Sequence, residues 1–145
     1  MKKDRSNELT SPSERDFSLP RAKILRGRNN FQRLFQPGAT TLRNELVDLR
    51  FRIYPDCNDG CLVGFIAKKS LGKAVKRNRI KRLLREAYRL NQHILTSFFE
   101  QTSYSFHGVL MAKTIEMDFD TVQDQVADLL QRAQKHLRPL TEPGS

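Results

Sequence analysis

Apolar and polar positions alternate most sharply in "ELVDLRFRIYP", with Val47, Leu49, Phe51 and Ile53 on one side and Asp48, Arg50, Arg52 and Tyr54 on the other. A period of two over this length predicts a half-exposed strand. Asp59-Gly60 reads as a hairpin-type turn leading into "CLVGFIAKK", a second and more buried strand. Upstream, "NNFQRLFQPG" sets Phe31, Leu34 and Phe35 at i, i+3 and i+4. That spacing predicts a short helix with an aromatic face, capped by Asn29 or Asn30 and stopped at Pro37-Gly38.

Downstream, "GKAVKRNRIKRLLREAYRL" has helical periodicity that carries on through "NQHILTSFF". "FHGVLMAK", Phe106–Lys113, is a short apolar run that reads as a buried strand. The last periodic segment, "DFDTVQDQVADLLQRAQKHL", gathers Val122, Val126, Leu129, Leu130, Ala133 and Leu137 into one stripe. Its acids, Asp118 to Asp128, lie towards the N-terminus, where the helix dipole favours them, and form a solvated face. The order is α-β-β-α-β-α, with room for one more short strand near Ala39–Leu42. This predicts an α/β (α+β) two-layer sandwich with a sheet of about four strands and three helices.

Residues 1–20 are polar, hold two prolines and offer only Leu9, Phe17 and Leu19 for burial, so they read as a flexible tail. Residues 21–138 form one domain and 139–145 a second short tail. The 145 residues are 38% hydrophobic with no Trp, which implies a modest core of Leu, Val, Ile and Phe. Neither a secretory h-region nor a run of about 20 apolar residues is present, so a cytoplasmic protein without a membrane contact is expected. Cys57 and Cys61 flank a turn with no second Cys or His pair to complete a zinc site. They read as reduced thiols, with a redox pair as the less favoured alternative.

Charge changes the picture more than composition does. The formal net charge is +10, and residues 68–89 hold ten of the 26 basic residues against the single acid Glu86. At 100° per residue, Leu83, Leu84, Ala87 and Tyr88 cluster around Ile80 on the helix, while Asn78, Arg82, Arg85 and Arg89 lie diametrically opposite. Lys73, Lys76 and Arg77 crowd the first turn, where each cation opposes the dipole at a cost of roughly 0.3–1 kcal/mol. Stability alone does not select such a row, whereas a phosphate backbone rewards it. The pattern points to a nucleic acid. The rival for a basic amphipathic helix is a membrane surface, weakened here because the apolar stripe is committed to a sheet.

The run Arg77-Asn78-Arg79-Ile80-Lys81-Arg82, with Arg85-Glu86 behind it and Lys68-Lys69 ahead, resembles the protein subunit of bacterial ribonuclease P. The resemblance spans roughly residues 21–137. Phe31 and Phe35 match the two phenylalanines of that family's opening helix, Gly38 its following glycine, and Val109–Lys113 its last strand. The resemblance implies an α/β sandwich with a left-handed β-α-β crossover, where the general rule is right-handed. It also implies a non-catalytic subunit: a large RNA, using Mg²⁺ held mainly by that RNA, removes the 5′ leader of precursor tRNA. The protein is then monomeric in a 1:1 complex with the RNA.

By that resemblance, Lys68, Lys69, Lys73, Arg77, Arg79 and Arg82 neutralise phosphates of the catalytic RNA, and Asn78 makes a directional hydrogen bond. Phe31 and Phe35 line a cleft beside the open face of the sheet and stack leader bases, with Lys81 and Arg85 able to serve either RNA. Spacing alone favours ordinary core for both phenylalanines, and the resemblance reverses that preference. No catalytic residue and no protein-bound metal is expected, since His93, His107 and His136 are scattered and helix capping accounts for Asp118 and Asp120. The alternatives are a ribosomal or ribosome-assembly protein, a protein-only nuclease and a DNA-binding helix.

Overall fold

The computed structural model describes residues 17–55, 59–100 and 102–140. The greater part of the expected N-terminal tail, residues 1–16, lies outside them, as do Cys57 and the last five residues. Four strands, β1 (Thr40–Arg43), β2 (Val47–Tyr54), β3 (Cys61–Ala67) and β4 (Ser105–Ala112), form one sheet in the order β1-β2-β4-β3. Four helices accompany them: α1 (Arg28–Leu34), α2 (Ala74–Asn91), α3 (His93–Phe99) and α4 (Phe119–Leu137). The short strand expected near Ala39–Leu42 is β1.

The lateral order corrects the expected hairpin. β2 pairs antiparallel with β1 and β4, while β3 pairs parallel with β4, so β2 and β3 are not neighbours. β4 takes the place between them because it is apolar on both faces: seven of its eight residues are buried. A strand buried on both sides belongs in the sheet's interior. Gly60 instead anchors the start of β3 to β4, its carbonyl accepting from the Phe106 N–H at 2.8 Å. As an edge strand, β3 is also less buried than expected. The β3-α2-α3-β4 connection is a crossover between adjacent parallel strands.

Residue parity divides the sheet. Val47, Leu49 and Phe51 of β2, Phe106 and Leu110 of β4 and Val63 of β3 join the buried residues of α2, α3 and α4 in the main core. Phe51 and Phe106 stack there with centroids 5.1 Å apart, and all six residues of the α4 stripe are buried. The other face carries a smaller cluster of Leu25, Leu34 and Val109, with Phe31, Leu62, Ile66 and Met111 around it. Among the described residues α1 and the segment before it cover that face, and part of it stays open.

Three local features differ from expectation. Gly27, at φ +96, rather than an asparagine, precedes α1, and Asn30 turns back to donate to the Arg26 carbonyl at 2.8 Å. The long basic helix breaks at Gln92, whose buried amide donates to the carbonyls of Ser18 (2.8 Å) and Arg89 (3.1 Å). Phe17–Pro20, expected as tail, runs over this break: Leu19 packs on the core, and the Phe17 carbonyl accepts from Arg89 at 3.1 Å.

Candidate nucleic-acid interface

α2 is fastened by Ile80, Leu84, Ala87 and Tyr88, all buried, with Leu83 partly buried beside them. The opposite side is therefore held out from the protein. Lys68, Lys69, Lys73, Asn78, Arg79, Arg82 and Arg85 are exposed, and Arg77 and Lys81 are half-buried. Lys73 stands at the N-cap, and no side chain caps the helix.

The cations divide by what they touch. Arg89 leaves the outward row: its Nε lies 2.9 and 3.1 Å from the Glu86 carboxylate oxygens, and one terminal nitrogen reaches the Phe17 carbonyl. The Arg89 hydrogen bond holds the Glu86 carboxyl below its usual range. The one acid of the block is thereby spent on one arginine. Arg77 donates Nε to the Gly72 carbonyl at 3.0 Å, and Arg79 donates to the Met117 carbonyl at 3.2 Å. Each of these two is oriented by one bond and keeps its other N–H groups. Lys68, Lys69, Lys73, Lys76, Lys81, Arg82 and Arg85 have no ion pair among the described residues. Uncompensated like charge on a fixed scaffold raises the local potential by several kT and favours a polyanion.

A second surface lies on the open face of the sheet. A cleft of about 500 Å³ is bounded by Phe35, Thr41, Arg50, Lys68, Met111 and Lys113. Phe35 follows the last turn of α1 and is 52% exposed, with the Arg50 guanidinium 5.6 Å from its ring centroid. Arg50 reaches the carbonyls of Leu34 and Gln36 and the Thr41 hydroxyl, so all three of its nitrogens are committed. Buried Asp48 gathers Lys113 at 2.9 Å and Arg43 at 3.3 Å on the cleft wall.

The structure separates residues that the sequence grouped together. Phe31 does not line this cleft: it is half-buried over β3, where a Cβ added to Gly64 would meet its ring at 2.7 Å. Lys81 and Arg85 do not join Phe35 either. With Asn78, Arg82 and Phe65 they line a depression of about 370 Å³ on the flank of α2. Lys68, grouped with the helix, borders the Phe35 cleft. Sequence reasoning missed Arg50, Met111 and Lys113 as cleft residues. Alternation had put Arg50 on the polar face of β2, but nothing local placed that face beside Phe35.

The remaining ionisable groups are structural in setting. Asp118 caps α4, its carboxylate accepting from the Thr121 N–H at 2.8 Å, and that bond lowers its pKa. His107 is buried with Nε2 3.0 Å from the Asp59 carboxylate, its ring tilted against Tyr54 at 4.8 Å. The Cys61 thiol lies 3.5 Å from the Tyr88 hydroxyl, and burial pushes its pKa up to about 12. Among the described residues no three His, Cys, Asp or Glu side chains gather as a metal site, and no helix is long and apolar enough to cross a membrane.

The sequence and the fold both have known relatives. The sequence matches the ribonuclease P family over residues 19–134. It is 35% identical over 127 residues to the ribonuclease P protein component of Chloroflexus aggregans, covering 88% of this chain and 89% of that one. The protein component of Thermotoga maritima is 31% identical over 115 residues, which cover 79% of this chain and 95% of the relative. The solved structure of the Thermotoga maritima protein superposes with a TM-score of 0.60 at 29% identity, over 75% of this chain and 96% of that one. A Staphylococcus aureus RNase P protein shares the fold, with a TM-score of 0.60 at 22% identity over 77% of this chain and 94% of that one.

Proposed function

This chain belongs to the bacterial ribonuclease P protein family, and from that premise we propose how its surfaces divide the work. It acts as the protein subunit of ribonuclease P, in maturation of tRNA 5′ ends, with the ribonuclease P RNA as partner. The observation that carries the assignment of surfaces is the row of cations on α2 without acidic partners, mounted on a helix whose other side is buried.

In this reading Lys68, Lys69, Lys73, Arg77, Arg79 and Arg82 neutralise phosphates of the catalytic RNA, and Asn78 supplies a directional donor and acceptor. Fixing them on a rigid helix pre-pays the ordering of the cations and leaves the binding energy for positioning the RNA. The leader of precursor tRNA, a single strand, enters the open-face cleft and stacks on Phe35. Stacking tolerates any base, as a leader that varies between tRNAs requires. Phe31 supports that cleft from beneath α1.

The protein contributes no reacting group. Asp118 is committed to a helix cap and His107 is enclosed by Tyr54 and Asp59. In this reading the Mg²⁺ that serves the cleavage is held mainly by the RNA. The complex is 1:1 and cytoplasmic. The test is the salt dependence of RNA binding. Arg82→Ala makes the slope of log K against log salt shallower by about 0.7–0.9, whereas Arg89→Ala, tied to Glu86 and Phe17, leaves it unchanged. Equal slopes for all three proteins refute the assignment.

A further inference from the structure

The depression on the flank of α2 has a use that phosphate neutralisation does not explain. Its floor is Phe65 of β3, and its walls are Asn78, Lys81, Arg82 and Arg85 of α2. Phe65 points to the same side of the sheet as α2 but sits on the edge strand. One side of its ring rests against Tyr88, with centroids 6.0 Å apart, while the residue as a whole stays half-exposed. Among the described residues, the backbone of Ile24 and Leu25 pairs with the outer edge of β3 at Val63, two residues short of Phe65.

The walls are equally open. Asn78, Lys81, Arg82 and Arg85 have no side-chain hydrogen bond or ion pair among the described residues. On other parts of the helix the arginines are tied, Arg79 to the Met117 carbonyl and Arg89 to Glu86. Three cations and an amide around a half-open aromatic ring do not stabilise the fold. The like charges repel, and the ring's outer part forgoes favourable burial. The combination suits one kind of ligand: a flat aromatic group joined to anionic phosphates.

We propose that Phe65 is the floor of a single-nucleotide subsite. An unstacked base of the bound RNA lies on its ring, Asn78 meets the base edge, and Lys81, Arg82 and Arg85 hold the flanking phosphates. At about 370 Å³ the depression falls at the small end of the roughly 300–1,000 Å³ typical of ligand pockets. The proposal rests on α2 being an RNA platform and adds to it a stacking contact distinct from the Phe35 cleft.

The chain has no Trp, so Phe65→Trp places a single indole at the floor. The full-length variant is titrated with the cognate ribonuclease P RNA and, separately, with single-stranded oligoadenylate; the control is Phe98→Trp, in α3 against Phe99 and not among the residues lining the depression. Emission from position 65 is expected to fall at least about twofold at saturation, while the control is unmoved. Quenching by the ribonuclease P RNA assigns the base to the catalytic RNA. Quenching by oligoadenylate alone assigns it to the leader.

A second variant, Phe65→Leu, keeps the apolar packing and removes the ring. It weakens binding of the quenching RNA by about 5–150-fold, the range that the loss of one base stack gives, with the salt slope and thermal stability unchanged. Tight binding with unmoved emission at position 65, or full affinity in Phe65→Leu, overturns the subsite and leaves the platform standing. Failure of the wild-type chain to bind RNA overturns both.

Discussion

Phe31 and Phe35 are one helical turn apart, yet the structure predicts opposite phenotypes for their removal. Phe35 is 52% exposed and borders the open-face cleft, so Phe35→Ala removes little buried area and leaves no cavity. Phe31 lies on the backbone of β3 at Gly64 and packs in the small cluster with Leu25 and Leu34. A fully buried Phe→Ala costs about 3–5 kcal/mol; for a half-buried ring in a peripheral cluster roughly 2 kcal/mol is expected. At roughly 4 °C per kcal/mol for a domain of this size, Phe31→Ala melts about 8 °C lower, and Phe35→Ala melts within about 2 °C of wild type.

Binding reverses the order. One lost base stack, about 1–3 kcal/mol, weakens the holoenzyme's hold on precursor tRNA by about 5–150-fold. Mature tRNA, which has no leader, is bound as before. The assay is thermal unfolding of each variant alongside precursor and mature tRNA affinity of the holoenzyme at a temperature where both variants are folded. Equal loss of precursor and mature tRNA binding in Phe35→Ala, or a melting temperature for it as low as that of Phe31→Ala, refutes the separation of a leader ring from a packing ring.

Three further outcomes follow from the same geometry. Arg50→Met frees the carbonyls of Leu34 and Gln36 and releases the end of α1, so it lowers precursor affinity as Phe35→Ala does. All three nitrogens already bond to the protein, so the salt slope stays constant; a shallower slope would show that Arg50 touches phosphate. Asp118→Asn keeps an N-cap acceptor and leaves cleavage intact, but removes an acid-range contribution to stability. The folded carboxyl titrates below its unfolded value, so its stabilisation is present above the unfolded pKa and lost as pH falls through the folded one, as unfolding of wild type and variant across pH 2–6 will show. Cys61, with its pKa pushed up to about 12, is alkylated at pH 8 at least about a hundredfold more slowly in the folded chain than in denaturant; comparable rates would contradict its burial beside Tyr88.

Periodicity made the elements legible because it is a local property. The alternation in β2, the α4 stripe and the buried side of α2 follow from spacing alone; the α4 stripe is realised residue by residue, whereas in β2 Asp48 is buried on the polar side and Ile53 only half-buried, and in α2 Leu83 is half-buried. The sheet's lateral order is a contest between distant segments. The hairpin signal at Asp59-Gly60 lost to the burial of β4 on both faces. Its largely apolar run from Phe106 to Ala112, interrupted by His107 alone, was the available clue to a central position. The separation of Phe31 from Phe35 was invisible for the same reason: helical spacing puts both on one face without saying that Phe31 lies against β3 at Gly64 while Phe35 borders the open cleft. Arg89 reads as part of the cationic row until the Phe17 carbonyl and Glu86 take it out. The pairing of His107 with Asp59, 48 residues apart, has no local signature at all.

The most direct test of the account is cleavage of 5′-labelled precursor tRNA at low Mg²⁺ by the cognate ribonuclease P RNA alone, by this protein alone and by the two together. Leader removal only in the combined reaction, lost on Arg82→Ala at raised salt and restored at low salt, is the predicted result. Cleavage by the protein alone, or no gain from adding it to the RNA while the two bind tightly, would contradict the assignment of α2 as the platform of a non-catalytic subunit.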